Sequence, residues 1–107
     1  MTDTFYKILD LIQKDQVLVS SHGYDEMAEE LIFVSEVVAG VSEAIVIEDY
    51  PSYSKGPCVL LLQKDTNGRP IHVVWGIPRG SESPAVIVTA YRPDPSLWSE
   101  GFTRRKT

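Results

Sequence analysis

Residues 58–77 read CVLLLQKDTNGRPIHVVWGI and carry the clearest structural pattern in the sequence. Val59 to Lys64 forms one short apolar run, and Arg69 to Ile77 forms a second run that is rich in β-branched and aromatic residues, as strands are. The tetrapeptide Asp65-Thr66-Asn67-Gly68 between them is a strong tight-turn signal. A connection this short joins antiparallel neighbours, so we expect a β-hairpin here.

The pattern of strands continues downstream of the hairpin. A polar turn follows at Pro78 to Pro84, and Ala85 to Tyr91 is again typical of a strand. Arg92 to Pro95 breaks the run, and Pro95 to Trp98 is expected to form a final short turn. We therefore predict an antiparallel sheet over residues 58–91, with no helix in that range.

Upstream, the apolar residues follow the helical period. Thr2 or Asp3 can cap a helix over about residues 3–14, whose apolar stripe is Phe5, Ile8, Leu9 and Ile12. Ser20 or Ser21 can cap a second helix, and a third, shorter one begins at Ser35 and ends near Gly40. Residues 16–19 are read as a short extended piece, and residues 44–47 as a strand or an extended lead-in.

Helices followed by strands predict an α+β domain, with two or three N-terminal helices packed on one face of a three- to four-stranded antiparallel sheet. Residues 1–107 are expected to form a single domain, with a core over about residues 3–98 and a frayed basic tail at 103–107. In the second strand, Ile71, Val73 and Trp75 share one face. If that face meets the helices, His72 lies on the open face.

The composition indicates an ordinary globular protein, with 43% hydrophobic residues. No apolar run approaches the roughly 18 residues that a membrane-spanning helix needs. The first residues lack the layout of a signal peptide, and Cys58 is the only cysteine. We therefore expect a cytoplasmic protein with no membrane association, in which Cys58 is a small buried hydrophobe.

The net charge is -5, but the two halves of the chain differ in sign. Residues 1–54 hold eleven acids against two bases, whereas residues 55–107 hold eight bases against four acids. A dipolar chain of this kind can offer a basic face to phosphates or to an acidic protein while it stays acidic overall. The plainer interpretation is that these charges keep the surface soluble.

The strong catalytic and metal-binding motifs are absent. The sequence has no Gly-rich phosphate loop, no His-Glu-x-x-His and no cysteine pair, so neither a cofactor nor a metal is expected. His22 and His72 are the only histidines, and together they could form a general acid/base pair or serve as two hydrogen-bonded structural residues. The other candidates are Tyr91 for catalysis and Arg69, Arg92 and Trp98 for binding substrate.

Three segments resemble the domain-of-unknown-function family DUF4258. They are residues 20–30, which carry His22, residues 68–74, which read GRPIHVV, and residues 86–94, which read VIVTAYRPD and are followed by Trp98. The match runs over about residues 17–98. That family in turn resembles, mainly in architecture, the compact ribonuclease toxins of RelE and BrnT type, which implies His22, His72 and Tyr91 as site residues.

The chain departs from the family pattern at Glu26 and Glu30, where the family has arginines. Carboxylates beside His22 would repel a phosphate. Two hypotheses follow: a non-catalytic interaction module or degenerate toxin-like protein that binds another protein or its own copy, and a metal-independent endoribonuclease that uses His22 and His72. RNA is the expected ligand only under the second hypothesis, the endoribonuclease. If the family pattern marks a site, the two histidines should lie within about 10 Å of each other.

Overall fold

A computed structural model describes residues 2–106 of the chain. The helices are α1 (Asp3–Gln13), α2 (Ser21–Glu29) and α3 (Val34–Gly40), and a 3-10 turn (Val41–Glu43) follows α3. The strands are β1 (Val17–Val19), β2 (Ile45–Tyr50), β3 (Cys58–Lys64), β4 (Pro70–Gly76), β5 (Ala85–Tyr91), β6 (Trp98–Ser99) and β7 (Arg104–Arg105). The predicted α+β class is confirmed.

The first two helices begin at side-chain caps. The Thr2 hydroxyl accepts a hydrogen bond from the Phe5 N–H at 2.9 Å, and the Ser20 hydroxyl accepts one from the Gly23 N–H at 2.9 Å. Helix α2 then lies close against β5. The approach is so close that a Cβ added at Gly23 would lie only 2.9 Å from the Ile87 carbonyl oxygen. The absence of a side chain at Gly23 is therefore what allows this close approach.

The β3–β4 hairpin forms as the sequence predicts. Strands β3 and β4 pair antiparallel from Cys58↔Gly76 to Lys64↔Pro70. In the turn, the Asp65 carboxylate accepts hydrogen bonds from the N–H groups of Asn67 and Arg69, both at 2.9 Å. Gly68 adopts a φ of 78°, a conformation that favours glycine.

The main sheet is mixed, which corrects the prediction of a purely antiparallel one. Its strand order is β1-β5-β4-β3-β2, and β1 pairs parallel with β5 while the other neighbours are antiparallel. The extended piece at residues 16–19 becomes this fifth strand. Its pairing with β5 joins segments almost 70 residues apart, so no turn signal in the sequence predicts whether the two strands run parallel or antiparallel.

One face of the sheet carries the hydrophobic core. Ile71, Val73 and Trp75 are fully buried there, as predicted, with Phe5 and Ile8 of α1 packed in the same core. The stripe of α1 is shifted by about one position from the predicted one, since Leu11 is buried and Leu9 and Ile12 are only partly so. The core also contains Gln63, which accepts a hydrogen bond from the Trp75 indole and donates one to the Val37 carbonyl.

Residues 94–106, called here the C-terminal segment, lie across the other face of the sheet. The turn expected at residues 95–98 forms, and the short strands β6 and β7 pair with each other antiparallel. The expectation of a frayed tail was therefore wrong for residues 103–106, and Thr107 lies outside the described residues. The segment is ordered because several of its groups bond to the sheet beneath it.

Within residues 2–106, no helix has both the length and the apolar character needed to cross a membrane.

Candidate functional site on the second face of the sheet

The face of the sheet turned away from the core is called here the second face. Strand register places three rows of residues on it, since partners across antiparallel strands share a face. The rows are Ile45, Leu62, His72 and Tyr91; Glu48, Leu60, Val74 and Thr89; and Tyr50, Cys58, Gly76, Val86 and Leu18. The C-terminal segment covers the first row at His72, while Ile45 stays 54% exposed, and the third row stays open.

His72 lies beneath the C-terminal segment with no solvent exposure. Its Nε2 is 2.7 Å from the Phe102 carbonyl oxygen, and its Nδ1 is 3.3 Å from the Tyr91 hydroxyl. Because a carbonyl only accepts, Nε2 carries the proton, and Nδ1 of the neutral ring accepts from Tyr91. The Trp98 ring meets the His72 ring edge to face, with 4.5 Å between centroids.

A charged pair fastens the C-terminal segment to β2. The Arg105 guanidinium lies 3.0 Å from the Glu48 carboxylate and 4.8 Å from the centroid of the Trp98 ring. The hydrogen bond from Arg105 lowers the pKa of Glu48, although burial opposes the shift. In turn, the hydrogen bond to Glu48 raises the pKa of Tyr50. The Glu48 carboxylate is therefore held in its charged form, next to the row of residues that contains His72.

Burial governs the proton affinities beneath the segment. It lowers the pKa of His72, against the opposing effect of the bond to the Phe102 carbonyl, and Arg105 lowers it further. Burial also raises the pKa of the Tyr91 phenol. Both groups are accordingly neutral near pH 7, with the histidine favoured as a hydrogen-bonding ring rather than as a cation.

His22 lies apart from this group, on the exposed side of α2. Its side chain is 75% exposed, and its Nε2 lies 2.8 Å from the Glu26 carboxylate. Glu26 also accepts a hydrogen bond from the Thr89 hydroxyl at 2.8 Å, which connects α2 to the second face. The ionic partner of His22 is thus Glu26, a position at which the family resemblance led us to expect an arginine.

The two candidate arginines lie at the tip of the β3–β4 hairpin. Arg92 pairs with Asp65 at 2.9 Å, and both side chains are largely buried. Burial opposes ionisation of Asp65, but its bonds to the Arg69 and Asn67 N–H groups and to Arg92 lower its pKa overall. Arg69 is exposed in the turn. Arg92 is thus engaged in holding the turn.

An apolar pocket of about 480 Å³ opens beside the covered row. Its floor and walls come from β4, β5 and the connection after β4. The lining residues from these elements are Val74, Gly76, Ile77, Pro78, Val86 and Val88. Tyr50, Tyr53 and Lys55 lie at its other side, with Cys58 beneath them. Cys58 is buried, as expected, and burial raises the pKa of its thiol. Gly76 helps keep the pocket open, because a Cβ there would lie 3.3 Å from that of Cys58.

The structure therefore brings together His72, Tyr91 and Trp98 from the predicted residues, and places His22, Arg69 and Arg92 in other contacts. The approach of the two histidines to within about 10 Å stays a prediction; in the structure each ring has its own set of partners. Sequence reasoning missed Glu48, Phe102 and Arg105, and it missed the tyrosines of the pocket. One sequence signal was available: the uninterrupted apolar run CVLLL at residues 58–62 is typical of a strand covered on both faces, and β3 is buried at six consecutive positions.

Residues 19–92 match the family described as Domain of unknown function (DUF4258). The chain belongs to the DUF4258 family. The match covers more than half of the chain and includes His22, His72 and Tyr91, while the C-terminal segment lies outside it. Comparison with curated proteins and with solved structures gave no match. The likeness to RelE- and BrnT-type toxins stays a prediction.

Within residues 2–106, no three histidine, cysteine, aspartate or glutamate side chains are grouped as metal ligands are.

Proposed function

We propose that this DUF4258 domain is a non-catalytic interaction module that binds another protein through the apolar pocket of the second face. The pocket is the observation that carries the proposal. Its volume of about 480 Å³ and its mainly apolar lining are those of a binding site, which for small ligands spans about 300–1,000 Å³. Tyr53 and Val88 remain 53% and 39% exposed beside it, so apolar surface is available to a partner.

The arrangement of the histidines supports the same proposal. A general acid/base must reach the proton that it transfers. His72 has no exposed surface, and both of its ring nitrogens already have partners in the chain. His22 is accessible, but its nearest ionic partner is a carboxylate, which disfavours an approaching phosphate.

The alternative is a metal-independent endoribonuclease of toxin type, and one observation favours it. Two of its three catalytic candidates, His72 and Tyr91, are in contact, with the Arg105 cation in the same group. A substrate would reach them only if the C-terminal segment moved away from the sheet.

Selection of displayed peptides on the purified chain, followed by NMR mapping of a selected peptide, tests the proposed function. We expect shifts at Val74, Val86 and Val88, and at least a tenfold loss of affinity in Val88→Lys. The control variant Tyr6→Lys changes an apolar residue on α1 that is 57% exposed, and should keep the affinity. Selected peptides that bind elsewhere, or equal affinity for both variants, would reject the pocket as the interaction site.

A further inference from the structure

One cation lines the pocket, and a second cation lies in the loop beside it. Lys55 lines it, and the Arg79 N–H donates to the Lys55 carbonyl at 3.0 Å. The Arg79 guanidinium is 3.4 Å from the Ser54 carbonyl oxygen, which holds it in the same loop. Both side chains are exposed, and the ion pairs formed within residues 2–106 give neither of them a carboxylate partner. Their positive charge is therefore available to a ligand.

Another part of the lining has a different character. Thr89 lines the pocket there, and its hydroxyl is bonded to Glu26, which also pairs with His22. An occupant thus meets Lys55, with Arg79 in the adjoining loop, mainly apolar walls, and the Thr89 hydroxyl, to which the Glu26 carboxylate is bonded. This distribution of charge selects the chemistry of an occupant.

We infer that the partner offers an acidic peptide segment, with an apolar side chain in the pocket and neighbouring carboxylates at Lys55 and Arg79. The inference rests on the proposed function and names the chemistry of the partner. A single-stranded RNA could also place a base against the tyrosines and a phosphate at the cations. The peptide is favoured because the walls from β4, β5 and the connection after β4 are aliphatic and because a phosphate chain that continued past Thr89 would approach the Glu26 carboxylate.

The test compares two short peptides that share a central Leu-Trp pair. In one peptide the pair is flanked by aspartates, and in the other it is flanked by lysines. We expect the acidic peptide to bind at least about threefold more tightly at low salt, since each exposed ion pair adds a modest factor. The preference should shrink as salt is added.

Two double variants identify the groups responsible. Lys55→Glu with Arg79→Glu should reverse the preference between the peptides. Lys7→Glu with Lys64→Glu makes the same change in net charge on α1 and at the far end of β3, and should retain the preference for the acidic peptide.

Equal binding of both peptides at the pocket would overturn the inference about charge while leaving the interaction module standing. The inference would also be overturned if neither of these two peptides bound while a selected peptide of another composition did bind. Binding of an oligouridylate that displaces the acidic peptide and depends on Lys55 and Arg79 would reassign the site to RNA.

Discussion

At the scale of single residues, His72 shows how burial converts a titratable group into a structural one. The ring is sealed by Trp98, and its two nitrogens bond to the Phe102 carbonyl and the Tyr91 hydroxyl. Charging it would place a cation in a site from which water is excluded, beside the existing cation of Arg105. The neutral ring is therefore the form that the fold stabilises.

This arrangement predicts a pH dependence of stability. The pKa of His72 is lower in the folded chain than its ordinary value of about 6.5, so the unfolded chain binds the proton more readily. Stability from this group is fully present above that value and is lost as the pH falls through the lowered folded pKa. Chemical denaturation from pH 7.5 to 5 should show this loss in the unmodified chain, with a smaller loss in His72→Ala.

His72→Ala should also lower the free energy of unfolding at pH 7.5 by about 2–4 kcal/mol, because it leaves a cavity and removes the hydrogen-bond partner of the Phe102 carbonyl. His22→Ala removes the exposed imidazole and serves as the control for the loss of a histidine. Equal destabilisation by the two substitutions would contradict the structural role of His72.

At the scale of elements, the C-terminal segment is held mainly by its ends. Trp98 packs on His72, and Arg105 reaches Glu48 on β2. Between them, Glu100, Gly101 and Phe102 all adopt positive φ angles, which turns the Phe102 carbonyl towards His72. Such conformations are unfavourable for Glu100 and Phe102, so the contacts made by the segment must compensate for them.

Adjacent arginines in β7 provide a matched test of this attachment. Arg105 contacts Glu48 and the Trp98 ring, whereas Arg104 pairs with Glu100 of the same segment. Arg105→Ala should lower stability by about 1 kcal/mol through loss of an exposed ion pair and a cation–π contact. Hydrogen exchange should become faster throughout residues 94–106 in this variant and change little in Arg104→Ala. The same acceleration in both would show that Glu48 does not hold the segment.

Helix α2 ends in a Schellman motif that contains no glycine. The Ile32 N–H donates to the Met27 carbonyl and the Leu31 N–H to the Ala28 carbonyl, and Leu31 adopts a φ of 54°. Leu31 is also 75% exposed, so its side chain contributes little packing. The motif places an exposed leucine where glycine is favoured.

Leu31→Gly should therefore stabilise the chain by about 0.5–1 kcal/mol, because relief of the left-handed strain exceeds the extra entropy of the unfolded chain. Urea denaturation measures the change. Leu97→Gly is the control, since Leu97 is 60% exposed and is outside the positive-φ group. Destabilisation by Leu31→Gly would show that the exposed leucine has a packing role.

At the scale of the whole molecule, the separation of charge bears on RNA. The acidic first half contributes Glu26 in α2 and Glu30 at its C-terminal end, where the family resemblance led us to expect arginines. Of these two, Glu26 is committed to His22 and Thr89. A polynucleotide approaching His22 would therefore meet negative charge on a chain whose net charge is already -5.

We expect the purified chain to cleave RNA poorly or not at all, with or without divalent metal. Glu26→Arg with Glu30→Arg should strengthen RNA binding at low salt, and the gain should fall as salt is added. Asp3→Arg with Glu43→Arg changes the net charge equally at other sites and should strengthen binding less. Robust cleavage by the unmodified chain that is abolished in His72→Ala, under conditions in which that variant is still folded, would favour the endoribonuclease over the interaction module.

The sequence by itself determined the helices, the hairpin and the face of β4 that meets the core. These features depend on local causes: the helical period of Phe5 and Ile8, the turn residues Asp65 to Gly68 and the alternation from Ile71 to Trp75. Membership of the DUF4258 family was also readable, because its motifs are short and contiguous.

The tertiary structure alone decided the parallel pairing of β1, the cover over His72 and the pocket beside it. Each of these depends on contacts between segments distant in the chain, such as Val17 with Ala85 or Glu48 with Arg105, which no local pattern specifies. His72 illustrates the difference. Alternation along β4 places it on the second face, but only the folded C-terminal segment determines that it is buried.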